Sequence, residues 1–261
     1  EKIWYPLWDA GLKLGHQVGT IDQIAEVAYE NLDMATSLLA ARLVAGNGEL
    51  AEELSLKARD QWVKKSFQYL SELNKSVITR HQKFGEVAFL LEPDLKEARG
   101  GLRDAHVLKW VEESEKVLRE QENKNLEEAF ETLLEVRVEL HRETGRRSDR
   151  LLLELQDDIA ARLNYEDADQ MMSVVASAAR VVAWTGDGAH RRISRVLGQR
   201  GPRRMIQKVL RREISPGLVL DDGRIQVNKE ALNDPLVVLR SAVVAAENDA
   251  YLDRVSLETL S

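Results

Sequence analysis

Apolar residues recur at helical spacing along most of the chain. Thr20-Ile21-Asp22-Gln23 has the spacing of a capping box, and Ile24, Val27, Ala28 and Leu32 then share one face. A second helix from Asp33 carries Met34, Leu38, Ala41 and Ala45 to a stop at Gly46-Asn47-Gly48. From Glu49 to about Lys83 the pattern predicts one long helix, broken near Ser55, with Val63, Phe67, Leu70, Asn74 and Val77 on one face. Leu126, Phe130, Leu133, Arg137 and Leu140 mark a helix over 125–142 closed by Thr144-Gly145, and Ser148-Asp149 introduces another over 151–163. Residues 171–184 are apolar on most faces, as in a helix buried inside a bundle.

Elsewhere the period changes. Gly11 to Val18 alternates apolar and polar residues, which predicts a strand half-buried on one face, and His16 near its end reads as a structural hydrogen-bonder before a ligand contact. A lone strand needs a sheet, and none is readable nearby, so its partners are expected upstream. Leu218 to Leu220 and Arg224 to Val227 flank Asp221-Asp222-Gly223 as a β-hairpin. Asn233-Asp234-Pro235 opens a helix to about Glu247, and Ser256 a last short turn. The expected fold is all-α in the main, a helical bundle with an N-terminal remnant strand and a small hairpin near the C-terminus.

One stretch breaks the helical pattern heavily. In 91–104, Glu92, Pro93, Asp94, Lys96, Gly100 and Gly101 precede a new helix from Leu102 to Val111, after a short apolar run over 87–91. The first turn of that helix offers unpaired N–H groups and the positive end of the helix dipole. With Lys96, Arg99 and Arg103 nearby, an anion such as a phosphate would find donors. The competing reading is that Glu92, Asp94, Glu97 and Asp104 pair with those cations while the glycines let two helices pack closely, and residue chemistry alone favours it.

Composition narrows the classes. Hydrophobic residues make up 44%, charged residues 31% and aromatics only 5%, a balance that favours a helix-rich protein over a sandwich or barrel. A net charge of −7 argues against a general nucleic-acid or membrane-surface binder. The basic residues Arg191, Arg192, Arg195, Arg200, Arg203, Arg204, Lys208, Arg211 and Arg212 have few aromatics among them, so they read as a solvated or interdomain face before a nucleic-acid site. The absence of cysteine excludes disulfides, thiolate metal sites and cysteine nucleophiles, and fits a reducing cytoplasm. No membrane-length apolar run is present. The sequence contains no P-loop, Gly-x-Ser-x-Gly, His-Glu-x-x-His or His-Asp motif. Ile3-Trp4-Tyr5-Pro6-Leu7-Trp8 would be costly to expose and calls for a partner surface.

Several of these stretches carry a resemblance. Tyr5 to His16, Ala35-Thr36, Leu38 to Leu43, Arg80-His81 and above all Leu91 to Glu97 with Gly100-Gly101-Leu102-Arg103-Asp104 resemble the bacterial bifunctional uridylyltransferase/uridylyl-removing enzymes of the PII nitrogen-signalling protein. Asp149-Arg150-Leu151, Ile159-Ala160 and Asp234-Pro235-Leu236 extend it over nearly the whole chain. The resemblance implies that residues 1–19 are the last strand region of a nucleotidyltransferase domain and 20–261 the helical domain that follows. It also implies PII and a nucleoside triphosphate as partners and magnesium in the intact enzyme. The family's Gly-Ser, Asp-x-Asp and His-Asp motifs have no counterpart here, so magnesium and triphosphate are expected in the missing upstream core and none on this chain alone. Further domains are expected downstream. Gly19 departs from the arginine usual in the family.

The expected function is therefore the helical part of an enzyme that transfers uridylyl or adenylyl groups to PII, inactive by itself. The competing class is a non-catalytic helical module that docks a partner. Glu92, Asp94, Lys96, Gly100, Gly101, Arg103 and Asp104 are the candidate nucleotide-binding or elbow residues, with no catalytic residue or metal ligand expected.

Overall fold

The computed structural model describes residues 3–12, 14–200, 212–221, 224–248, 250–252 and 254–260. Lys13, the turn residues Asp222 and Gly223, and part of the basic run, at 201–211, lie outside them, as do the side chains of Arg195 and Arg200. The chain divides into two compact units, 1–197 and 198–261.

The first unit is helical. Its elements are α1 (Tyr5–Asp9), α2 (Ile21–Glu30), α3 (Leu32–Leu39), α4 (Gly48–Lys64) and α5 (Ser66–Phe84). A 3-10 turn (Val87–Phe89) leads to α6 (Leu102–Glu112), α7 (Glu120–Thr144), α8 (Leu153–Arg162) and α9 (Ala168–Arg200). The capping box forms as the sequence predicts: Gln23 N–H donates to Thr20 Oγ1 at 3.3 Å, and Thr20 N–H to Gln23 Oε1 at 2.9 Å. Gly145 closes α7 with a φ of +61°.

Four expectations need correction. Residues 14–20 form no strand, because no neighbour among the described residues pairs with them. His16 lies between Trp4 and Trp8, with ring centroids 5.5 and 5.3 Å away. The helix from Asp33 ends at Leu39, short of Ala41 and Ala45. The long helix breaks at Lys65 and not at Ser55. The buried face on either side of that break is Trp62, Ser66, Tyr69, Leu70 and Leu73, leaving Val63 and Phe67 half exposed. The 151–163 helix starts only at Leu153, since Asp149 is engaged elsewhere.

The break at Lys65 stacks Trp62 on Tyr69, with centroids 4.8 Å apart. Trp62 Nε1 donates to Trp110 O at 2.9 Å and Tyr69 Oη to Ala28 O at 3.0 Å, so two buried aromatics tie α2, α4, α5 and α6 into one core. Leu126, Leu133, Val136 and Leu140 of α7, with Met171, Val175 and Val182 of α9, complete it. α9 continues to Arg200, so part of the basic run is helical. Arg192 is not a solvated charge: it grips Glu122 with both guanidinium nitrogens, at 3.2 and 2.9 Å.

In the second unit, β1 (Arg212–Ser215), β2 (Leu218–Asp221), β3 (Arg224–Val227) and β4 (Tyr251–Leu252) form a sheet in that order. The predicted hairpin is its centre, Val219 pairing with Gln226 and Leu220 with Ile225. β4 adds in parallel, and α10 (Val237–Glu247) and α11 (Arg254–Leu260) accompany the sheet. Leu218, Ile225, Ala231, Val237 and Val244 make a small separate core. No helix among the described residues is long and apolar enough to cross a membrane.

Candidate functional site

The elbow at 91–104 is built first from backbone. Leu95 N–H donates to Asp149 O at 2.8 Å and Leu151 N–H to Pro93 O at 2.9 Å, so 93–95 runs antiparallel to 149–151. Asp94 turns the chain, its Oδ1 accepting the N–H groups of Lys96 at 3.0 Å and Glu97 at 2.7 Å. Glu92 reaches across to α8, accepting the N–H of its first residue, Leu153, at 3.2 Å and Arg150 Nη2 at 2.8 Å. Gln156, buried on α8, donates to Leu91 O at 2.8 Å.

Both glycines are required by space. Gly100 has a φ of +81°, and a Cβ there would lie 2.5 Å from Ala179 O on α9. A Cβ on Gly101 would lie 2.8 Å from the carbonyl oxygens of Leu95 and Ala98. The glycines therefore serve the close packing of α9 and the tight return of the turn.

The turn also consumes the amides that the sequence offers to an anion. Leu102 N–H donates to Leu95 O at 3.0 Å, Arg103 N–H to Lys96 O at 2.9 Å and Asp104 N–H to Gly101 O at 3.0 Å. The expectation of open N–H groups at this helix start is thus corrected: a chain that folds back on itself satisfies them internally.

Asp104 is the buried centre. Its carboxylate accepts the Gly100 N–H at 2.8 Å, His81 Nε2 at 2.9 Å and an Arg80 guanidinium nitrogen. Burial pushes the carboxyl up, but His81 and Arg80 outweigh it and hold it below its ordinary value. Arg80 also donates to Glu97 O at 2.8 Å, locking α5 against the turn. Arg99 bridges Glu86 at 2.7 Å and Asp187 of α9 at 2.8 Å.

Outside this centre an ionic ladder crosses the elbow. Arg103 meets Glu97 at 3.3 Å, Lys96 meets Glu97 at 3.0 Å and Asp149 at 3.7 Å, and Arg137 donates to Asp149 at 2.7 Å. Burial raises Glu97 and Asp149, yet Lys96 and Arg103 on the first, and Arg137 and Lys96 on the second, bring both below their ordinary values. His106 is lowered by burial and then by Arg103, Lys109, Lys96 and Arg137. Arg103 is the most exposed cation of the ladder, with 36% of its side chain accessible.

All seven candidate residues thus meet in one elbow. Sequence reasoning gave no role to Asp149 beyond opening a helix, nor any to Gln156. Arg137 on an otherwise apolar stripe was the available signal, because a charge there needs a buried partner. Among the described residues no three His, Asp or Glu side chains converge as metal ligands.

The GlnD PII-uridylyltransferase family model matches residues 68–185, which contain the elbow. The chain is 37% identical over its full length to the bifunctional uridylyltransferase/uridylyl-removing enzyme of Streptomyces coelicolor, and 32% identical over its full length to that of Mycobacterium tuberculosis, covering 33% of each. It is 31% identical over 97% of its length to the Caulobacter vibrioides enzyme, covering 30% of it. No solved structure matches. The chain spans about a third of the length of these relatives, and over that span it corresponds to a segment of the bifunctional uridylyltransferase/uridylyl-removing enzymes.

Proposed function

We propose that this chain is the helical part of an enzyme that uridylylates, or adenylylates, the PII protein in the bacterial cytoplasm. The observation that carries the reading is the similarity to such enzymes along the whole chain, with the elbow inside the matched stretch. In this reading a PII tyrosine hydroxyl forms a bond to the α-phosphate of the triphosphate as the bond to pyrophosphate breaks. Magnesium and its carboxylate ligands lie outside residues 1–261. The chain's own contribution is positional: Asp104, Arg80 and Gly100 hold the elbow, and the half-exposed Arg103 is available to a phosphate as a side-chain donor.

The test replaces the matching segment of the Streptomyces coelicolor enzyme by this chain and measures labelling of PII with magnesium and labelled UTP or ATP. A folded chimera that transfers nucleotide supports the reading, and a folded but inert one overturns it. Purified residues 1–261 alone should transfer none. Labelling of PII by this chain alone would defeat the division of labour.

A further inference from the structure

A chain of net charge −7 nevertheless gathers surplus positive charge on one face of α6 and α7. Arg103, His106 and Lys109 follow at three-residue steps on α6, so each neighbours the next on the helix surface. Phe130 of α7 packs against two of them, its ring 5.2 Å from that of His106 and 4.4 Å from Lys109 Nζ. Seven residues further along the same face of α7, Arg137 reaches Asp149 beside Lys96. Arg147 adds its charge to that carboxylate.

Two carboxylates answer these five cations. Arg103 and Lys96 pair with Glu97, which Arg80 also approaches at 3.9 Å, and Lys96 and Arg137 pair with Asp149. Among the described residues, Lys109 and Arg147 pair with no carboxylate. His106 lies in the middle of this charge, makes no hydrogen bond to another described residue, and has neither ring nitrogen sealed from solvent. After burial, Arg103, Lys109, Lys96 and Arg137 all lower its proton affinity, so the field of four cations meets at one point. Arg103 and Lys109 stand about 9 Å apart along the helix axis, too far for one phosphate to bridge but within reach of several in a chain.

We infer that the α6–α7 face around His106 binds a polyphosphate chain, inorganic or carried by a nucleotide, with Arg103 and Lys109 as donors. Lys96 and Arg137 strengthen the field behind them. The site departs from the expectation that this chain alone holds no triphosphate, because that expectation weighed only metal-binding motifs. It goes beyond nucleotide transfer to PII and does not rest on it.

The probe is inorganic triphosphate, titrated without metal into the full 261-residue chain by calorimetry at about 0.15 M salt. It should bind, and sulfate, a single anion, at least about tenfold more weakly. Arg103→Ala and Lys109→Ala should each weaken triphosphate about fivefold. Lys64→Ala, which removes the same charge from an exposed site on α4, should leave the affinity unchanged. Melting temperatures of all three variants should stay near that of the parent. Bound triphosphate should also raise the pH at which the His106 ring titrates by NMR, because it offsets the cations that lower it. UTP binding more tightly than triphosphate would assign the phosphates to a nucleotide, and equal or weaker binding to the phosphate chain alone; both support the site. Absence of triphosphate binding, equal affinity for sulfate, an equal loss in Lys64→Ala, or an unmoved His106 titration would each overturn it.

Discussion

Asp104 Oδ2 accepts the backbone N–H of Gly100 at 2.8 Å, so the helix that follows the elbow fastens the turn that precedes it. The bond is buried, and the other carboxylate contacts go to Arg80 and His81 of α5. Asp104→Ala should therefore lower stability by about 3 kcal/mol, because it strands a buried guanidinium and a buried amide. Arg103→Ala should cost less than about 1 kcal/mol, its contact with Glu97 being part-exposed. Urea denaturation of both variants checks the contrast. In the intact enzyme, Arg103→Ala should weaken triphosphate binding with little change in melting temperature. Normal affinity together with a drop in melting temperature equal to that of Asp104→Ala would make the elbow a packing device only.

The glycines predict a gradient. Gly100→Ala should cost about 3 kcal/mol, since it combines a φ of +81° with a clash at 2.5 Å against Ala179 O. Gly145→Ala should cost only about 1 kcal/mol, because its φ of +61° is strained but nothing lies within 4 Å of the added Cβ. Equal losses in thermal melts would mean that backbone strain alone, and not the approach of α9, decides Gly100.

Acid sensitivity should have two limbs. The folded state lowers His106, so its contribution is complete above the ordinary value of 6.5 and declines as pH falls below it toward the folded value. Asp104 is lowered from 3.8, so its contribution is intact above that value and is lost as pH falls further, through the folded one. His106→Gln should flatten stability against pH just below 6.5, and Asp104→Asn only the limb below 3.8. Urea midpoints measured across pH decide this. An unchanged upper limb in His106→Gln would show that another group drives it.

The N-terminal end exposes Ile3, Tyr5, Leu7, Trp8, Leu12 and Val18. Apolar surface of this kind should draw hydrophobic dye or a second copy. Removing residues 1–19 should reduce dye fluorescence and any self-association seen in sedimentation. A monodisperse chain whose dye signal ignores the deletion would count against it.

Local chemistry by itself determined much of this protein. The capping box at Thr20, the glycine stop at Gly145, the apolar stripe of α7 and the pairing of β2 with β3 all follow from residues near in sequence. So does the existence of the elbow, because Pro93 breaks a helix and the Gly100-Gly101 pair disfavours one. Its inner wiring does not follow, and only the tertiary structure decided it. The break at Lys65 is set by the need of Trp62 to reach Trp110 and of Tyr69 to reach Ala28, partners 48 and 41 residues away. The alternation over 11–18 could not become a strand without a neighbour to accept its hydrogen bonds. The amides of Leu102, Arg103 and Asp104 looked open because helix starts leave donors unpaired. They are closed because the returning chain places the carbonyls of Leu95, Lys96 and Gly101 against them. Whether a donor is free depends on what packs over it, and periodicity carries no record of that.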